Sequence, residues 1–266
     1  MHHFCCDSNL GFHLKIGVVI PTYNEADNLP KLTSCLLALP LDLCLLLVDD
    51  NSPDGTGRLA DELAVSNAGR IEVLHRPERQ GLASAYVDGF RHFLESKVDA
   101  IAQMDADFSH DPSALVAMAK DLESFDVVFG SRYTRNGSVD TQWSSFRKRL
   151  SSWGNLYARI ILRIPIHDLT TGYRLWKSET LRGLPLDQIL STGYIFQVEM
   201  AYLAHCLEYQ MSEHPIHFAD RSNGQSKMSL QIQVEAAFRV WQIWLTHRHL
   251  CHEGQSARIQ RSGAAI

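Results

Sequence analysis

Asp105 and Asp107 stand one residue apart in MDADFSHDP, directly after the apolar run VDAIAQM. Two carboxylates so spaced can hold a divalent cation, and hard oxygen ligands suit Mg²⁺ or Mn²⁺. Taken alone, D-x-D is common enough that a solvated acidic turn is the better reading. Two further strings bring polar groups to comparable places. The run IGVVI ends in PTYNE, where Tyr23 could stack on a base and Glu25 accept hydrogen bonds, or where Asn24 or Asp27 could simply cap the next helix. LCLLLV ends in VDDNSPDGT, which adds Asp49 and Asp50. These aspartates precede their helices by several residues, so capping does not account for all of them. Carboxylates converging from three strand ends would repel unless a cation and hydrogen-bond donors sat among them. No GxGxxG or phosphate-loop string occurs in this half, which argues against dinucleotide and ATP binding.

The elements that must position these groups follow from hydrophobic periodicity. IGVVI, LCLLLV, IEVLH and DAIAQM alternate with the amphipathic stretches ADNLPKLTSCLLAL, TGRLADELAV and GLASAYVDGFRHFL, a βαβαβαβ pattern. Near-continuous apolar strands between helices predict an α/β fold with a doubly wound, mostly parallel sheet covered on both faces. The acidic strand ends then lie along one carboxyl edge, where open α/β sheets bind ligands. After Asp107 the alternation stops. DVVFGSRY reads as another strand, a helix starts near Trp143, Tyr194–Cys206 forms a helix, EYQMSEHPIHF gives two extended pieces, and Ser229–His247 a last helix. The expected organisation is an N-terminal extension (1–15), a catalytic unit (16–227), a C-terminal amphipathic helix (228–250) and a disordered tail (251–266).

With 266 residues, 45% of them hydrophobic, the chain can bury one ordinary core, and a net charge of -5 argues against general nucleic-acid binding. Six scattered cysteines without C-x-x-C spacing suggest reduced, mostly buried thiols. The N terminus does not read as a secretory signal, and no window has the length and apolarity to span a membrane. Between Trp143 and Ile166, Arg147, Lys148, Arg149, Arg159 and Arg163 occur with no acidic residue, while Trp143, Phe146, Leu150, Trp153, Tyr157 and Ile160 recur at three- and four-residue spacing. That pattern suits an interfacial helix and equally a core-packed helix with a basic outer face.

Taken together and in order, PTYNE, VDDNSPDGT, HRPERQGLASAYVDGF, MDADFSHDP, GSRY, DLTTGYRLW, GYIFQVEM and DRSNGQSKM resemble the polyprenol-phosphate (dolichol-phosphate) mannosyltransferases of glycosyltransferase family 2, over roughly Ile16 to Trp244. The resemblance implies a GT-A fold and metal-dependent, inverting transfer of mannose from GDP-mannose to a polyprenyl monophosphate. Pro21, Tyr23, Glu25, Asp49 and Asp50 match the guanine and ribose pocket. Asp105 and Asp107 match the ligands of an Mg²⁺ or Mn²⁺ ion on the diphosphate, and Ser109 stands at a third position where some relatives carry Gln. Arg132, Arg147 and Ser151 match positions that hold the lipid phosphate, with Asp107 touching the acceptor side. Arg221 and Lys227 match diphosphate-binding positions; Arg174, Gln197 and Glu199 lie where relatives shape the sugar pocket, although a structural ion pair suits Arg174 and Glu199 as well. The implied location is the cytoplasmic face of a membrane, held peripherally by the chain's own helices or through a separate anchoring protein. Two other readings stay open: transfer from UDP-glucose or another sugar nucleotide, and a noncatalytic nucleotide-sugar binding subunit of a membrane complex.

Overall fold

The computed structural model describes residues 14–219 and 237–251. Its first half alternates β1 (Lys15–Thr22), α1 (Leu29–Leu37), β2 (Asp42–Asp49), α2 (Thr56–Ser66), β3 (Ile71–His75), α3 (Leu82–Glu95) and β4 (Ala100–Gln103), as periodicity predicts. The four strands pair in parallel in the order β3-β2-β1-β4. The register Thr22↔Asp49 and Val19↔Gln103 sets the carboxyl ends of β1, β2 and β4 side by side, which turns three distant motifs into neighbours.

The second half continues with α4 (Ala114–Asp121), β5 (Val127–Ser131), β6 (Ser138–Val139), α5 (Ser145–Leu162), β7 (Arg174–Lys177), α6 (Ser178–Gly183), α7 (Ile195–Cys206), β8 (Met211–Pro215) and β9 (His217–Phe218). β7 inserts between β4 and β5 and runs antiparallel to both, completing the seven-stranded order β3-β2-β1-β4-β7-β5-β8. The sequence reading missed this strand: RLWK is four residues long and carries a buried arginine, so no apolar run announces it. β6 and β9 form a separate parallel pair.

Two apolar layers cover the sheet. One face packs α1, α2 and α4 through Leu29, Leu32, Ala60, Leu115 and Met118; the other packs α3, α5 and α7 through Tyr86, Phe90, Ala158, Phe196, Met200 and Leu203. Gly89 permits the close approach of α3 to β1, since a Cβ there would stand 2.3 Å from Val19. The last helix, α8 (237–251), joins the second layer through Val240 and Ile243.

The surface helices depart from simple amphipathicity. α5 buries Asn155, Ala158 and Leu162, yet Phe146, Trp153, Leu156 and Ile160 stay exposed, Phe146 and Ile160 to 73% and 68%. The helix therefore has a core face and a separate apolar outer stripe. α8 likewise buries one apolar face and exposes Phe238, Trp241 and Leu245. Tyr157 joins the two helices, donating to the Ala237 carbonyl at 3.2 Å and accepting from Trp241 Nε1 at 3.0 Å. Among the described residues no helix is long and apolar enough to cross a membrane.

The cysteine expectation needs correction. Packing of α8 on α7 joins Cys206 and Cys251 in a disulfide across 45 residues of sequence, whereas Cys35 and Cys44 are free thiols. Burial, together with the nearby Glu72 carboxylate, pushes the Cys44 thiol up to about 11. Cys5, Cys6, the proposed extension up to residue 13, the first residues of the expected C-terminal helix and the tail from 252 lie outside the described residues.

Candidate active site

Three loops at the carboxyl edge each contain a non-glycine residue in the left-handed region: Asn24 (φ 61°), Asn51 (φ 58°) and Phe108 (φ 60°). Asn tolerates that conformation, but for Phe it is costly and persists only where the surroundings impose it. The strain lies directly between Asp107 and Ser109.

In the β1 loop, Glu25 is bound into the scaffold. Its N–H donates to Thr56 Oγ1 at 2.9 Å and its carboxylate accepts from Asn28 Nδ2 at 2.8 Å, while its carbonyl receives the Asn28 and Leu29 N–H groups. Neither Asn24 nor Asp27 caps α1, because Asn28 is the N-cap residue. Pro21 and Tyr23 are half-buried beside this turn.

At the end of β2 the two aspartates have separate duties. Asp49 accepts from the Ser52 hydroxyl at 2.6 Å and lies 3.9 Å from His75. Asp50 accepts from Arg76 Nη1 at 2.8 Å, Gln80 N at 3.0 Å and Gly81 N at 2.9 Å, so it clamps the loop after β3. The donors expected among crowded carboxylates are present at Asp50: Arg76 neutralises it from 26 residues away, a pairing that strand periodicity does not reveal. Among the described residues no three His, Cys, Asp or Glu side chains gather as a metal site.

Asp105 and Asp107 are where β4 was expected to deliver them. Tyr86 donates its hydroxyl to Asp105 at 3.0 Å, and Asp107 accepts the Ser109 N–H at 3.0 Å. Burial, with the nearby Asp105 charge, drives the Tyr86 phenol well above its ordinary range, so it remains a donor. Gly172 of TTGYR lies against Asp105, a Cβ there falling 3.4 Å from both carboxylate oxygens. Ser109 Oγ and His110 Nε2 are buried without a hydrogen-bond partner. An orphaned hydroxyl beside two carboxylates fits a hard, oxygen-ligated divalent cation, with the remaining positions open to phosphate oxygens or water. His110 Nδ1 accepts the Asp105 N–H at 3.3 Å, and burial holds its imidazole below its usual pKa.

The other side of the site is basic and aromatic. Arg132 makes a two-pronged pair with Asp168, at 2.7 Å from both Nε and Nη2, and reaches Thr170. Burial opposes charge on both partners, but their mutual attraction and hydrogen bonds prevail: the Arg132 pKa is raised and that of Asp168 lowered. Tyr133 donates to Ser151 at 2.7 Å, bringing the GSRY motif onto α5, where the Arg147 guanidinium lies 3.8 Å from the Trp143 ring centroid. Structure therefore unites Arg132 and Ser151 through Tyr133, with Arg147 one helical turn before Ser151.

Arg174 and Glu199 do not pair with each other. Arg174 is fully buried, donates to the carbonyls of Thr171 and Leu169, and has its pKa pushed down to about 9 by burial. Its Nη1 and the Nε2 of Gln197 lack partners, while Gln197 accepts from Gln103 at 3.3 Å. Glu199 instead receives Leu190 N, Ser191 N and, at 2.7 Å, His247 Nε2 of α8. Burial raises the Glu199 carboxyl, but these hydrogen bonds outweigh it and the pKa is lowered. Arg76, Tyr86, Asp168 and His247 are the partners that sequence reasoning missed. The first three lie inside motifs already singled out, but only their contacts reveal their duties. Arg221 and Lys227 lie outside the described residues; Ala219, the last described residue before them, donates its N–H to Ser109 O at 3.3 Å.

The family model for glycosyl transferase family 2 matches residues 17–183. An undecaprenyl-phosphate mannosyltransferase of Micrococcus luteus is 40% identical over 246 residues, covering 92% of this chain and 99% of that protein. A polyprenol monophosphomannose synthase of Mycolicibacterium smegmatis is 40% identical over 224 residues, 84% of each chain. Among solved structures, glucosyl-3-phosphoglycerate synthase of Mycobacterium tuberculosis, in complex with Mn²⁺, UDP and phosphoglyceric acid, superposes with a TM-score of 0.61 at 16% identity, covering 90% of this chain and 79% of that one. Mannosyl-3-phosphoglycerate synthase of Rubrobacter xylanophilus gives 0.59 at 18% identity, with coverage of 91% and 75%. The α/β sheet is thus of the GT-A type, and the chain belongs to glycosyltransferase family 2.

Proposed function

We propose that the protein transfers mannose from GDP-mannose to a polyprenyl monophosphate with inversion, giving a β-linked mannosyl phospholipid and GDP. The observation that carries the reading is the seating of Asp105, Asp107 and the unpartnered Ser109 hydroxyl between the Tyr23–Glu25 loop and the Arg132–Tyr133–Ser151–Arg147 group. The similarity to two polyprenyl-phosphate mannosyltransferases supports the acceptor and the sugar.

In this reading an acceptor phosphate oxygen bonds to the anomeric carbon as the bond to the GDP oxygen breaks. A phosphate monoester has a second pKa of about 6 and is largely dianionic at neutral pH, so no general base is required. Arg147 and Ser151 hold the acceptor phosphate, and Asp168 fixes the Arg132 fork beside it. Asp107 borders the acceptor and is not assigned as a base. Pro21, Tyr23, Glu25 and Asp49 shape the nucleoside pocket, while Asp50 acts through the loop it clamps. Asp105, Asp107 and Ser109 would hold Mg²⁺ or Mn²⁺, which when bound supplies charge neutralisation for the leaving diphosphate. Arg221 and Lys227 add positive charge from the segment after Ala219, and Gln197 and Arg174 border the sugar.

The exposed stripes of α5 and α8 seat this catalytic unit (16–227) on the cytoplasmic face of a membrane, with or without an anchoring partner protein. Apolar side chains flanked by Arg and Lys suit an anionic lipid interface.

The test is to incubate the purified protein with GDP-mannose, a short polyprenyl phosphate and Mg²⁺ or Mn²⁺, and to determine the anomeric configuration of the lipid product by NMR. Turnover of UDP-glucose in place of GDP-mannose would overturn the donor; an α-linked product would overturn inversion. Lipid mannosylation in a membrane extract that is unaffected by Asp105→Ala would favour a noncatalytic binding subunit.

A further inference from the structure

The guanidinium of Arg79 lies over the ring of Tyr23, 3.9 Å from its centroid. The contact joins two motifs 56 positions apart, and the scaffold beneath it is unusually constrained. Asp50 binds the backbone N–H groups of Gln80 and Gly81, Arg76 is buried against the same carboxylate, and Asn51 Nδ2 holds the Pro77 carbonyl at 3.2 Å. Gly81 adopts φ 92°, which turns the chain into α3. Residues 76–81 therefore form a bow fixed at both ends to the end of β2, with the exposed Arg79 side chain at its crown. A base arriving to stack on Tyr23 meets that guanidinium.

We propose that Arg79 determines nucleobase specificity: it leaves the Tyr23 ring face to the base and turns its fork onto the O6/N7 edge of guanine. The proposal rests on the nucleotide pocket described under Proposed function. Guanine presents two adjacent acceptors at that edge, which match the paired donors of a guanidinium. Adenine sets a donor amine beside N7, and uracil offers O4 next to a C–H, so neither satisfies both donors. The Tyr23 contact holds Arg79 close by before the nucleotide arrives, and the side chain is long and exposed enough to swing.

The test measures binding of GDP, 7-deaza-GDP, IDP and UDP to the full chain with Mg²⁺ by titration calorimetry, for wild type, Arg79→Lys and Arg79→Ala. Replacing N7 by carbon removes one of the two acceptors, while IDP keeps both and lacks only the 2-amino group. Wild type should bind GDP about tenfold or more tightly than UDP and several-fold more tightly than 7-deaza-GDP, a bidentate pair being worth roughly five- to a hundredfold. In Arg79→Ala the ratio of GDP to 7-deaza-GDP affinity should fall to about one, whereas Arg79→Lys, whose ammonium can also donate to O6 and N7, should keep part of it. Attraction to the diphosphate is the same for GDP and 7-deaza-GDP, so this ratio separates edge reading from charge. The ratio of GDP to IDP affinity should be the same in all three proteins. A ratio of GDP to 7-deaza-GDP affinity near one in wild type, or its survival in Arg79→Ala, would overturn the inference alone. Tighter binding of UDP than GDP by wild type would overturn the donor assignment as well.

Discussion

The two sides of the site are built in opposite ways. Around the β1, β2 and β3 loops, acidic side chains are tied to the loops themselves: Asp50 accepts the Gln80 and Gly81 N–H groups, Glu25 the Asn28 side-chain amide and Asp49 the Ser52 hydroxyl. Along α5 and α8, large apolar side chains face outward, and buried pairs such as Arg132–Asp168 and His247–Glu199 lie behind or beside them. A rigid half suits a soluble ligand of fixed shape, whereas an adhesive half suits a ligand delivered from a lipid surface. On the proposed function, the contrast places affinity for the donor in loop geometry and affinity for the acceptor in exposed surface.

That contrast can be broken at several points. The largest effect should come from Asp168→Ala, which strands the buried Arg132 guanidinium and should cost about 3–5 kcal/mol of stability in chemical denaturation. Next, Asp105→Ala should lower mannosyl transfer at least about a hundredfold while circular dichroism stays unchanged, because the loss falls on charge stabilisation at the reacting centre. Trp153→Ser should weaken flotation with anionic liposomes about tenfold, one exposed apolar side chain buried in lipid contributing on the order of 1.5 kcal/mol. GDP binding should be unaffected, and a matching loss there would collapse the distinction between the halves.

The smallest effect concerns acid. Glu199 and Asp168 have folded pKa values lowered by their partners, so their stabilisation is fully present above the ordinary carboxylate range and is lost as pH falls through the lowered folded values. Tm should therefore decline in acid below about pH 4. Glu199→Gln should flatten part of that decline, and an unchanged slope would remove Glu199 from the account.

How much of this was legible in the sequence depended on range. β1 to β4 were readable because each is a near-continuous apolar run, and their shared edge followed from parallel topology. β7 was hidden, since a strand of four residues with Arg174 and Trp176 on it has neither alternation nor length. The D-x-D pair was legible as chemistry, yet the duty of Asp50 was not, because Arg76 reaches it across a loop. GSRY and TTGYR were recognised by resemblance, whereas the Arg132–Asp168 pair needed the fold to join residues 36 positions apart. The dual character of α5 escaped because periodicity counts apolar residues without showing which of them another element covers.

The last helix has a further consequence for how the chain is made. Val240, Ile243 and His247 complete a layer whose other members, Tyr157, Glu199 and Cys206, are synthesised many residues earlier. The α1–α2–α4 face of the sheet can close while synthesis continues, but the opposite face lacks Val240 and Ile243 of its layer until α8 leaves the ribosome. During that interval Glu199 has no imidazole beside it and an apolar trough is bare, the condition under which a nascent chain engages chaperones. Ribosome-stalled chains ending at residue 236 should crosslink to a chaperone far more than chains that include residue 251, and equal crosslinking would show that the face closes without its final helix.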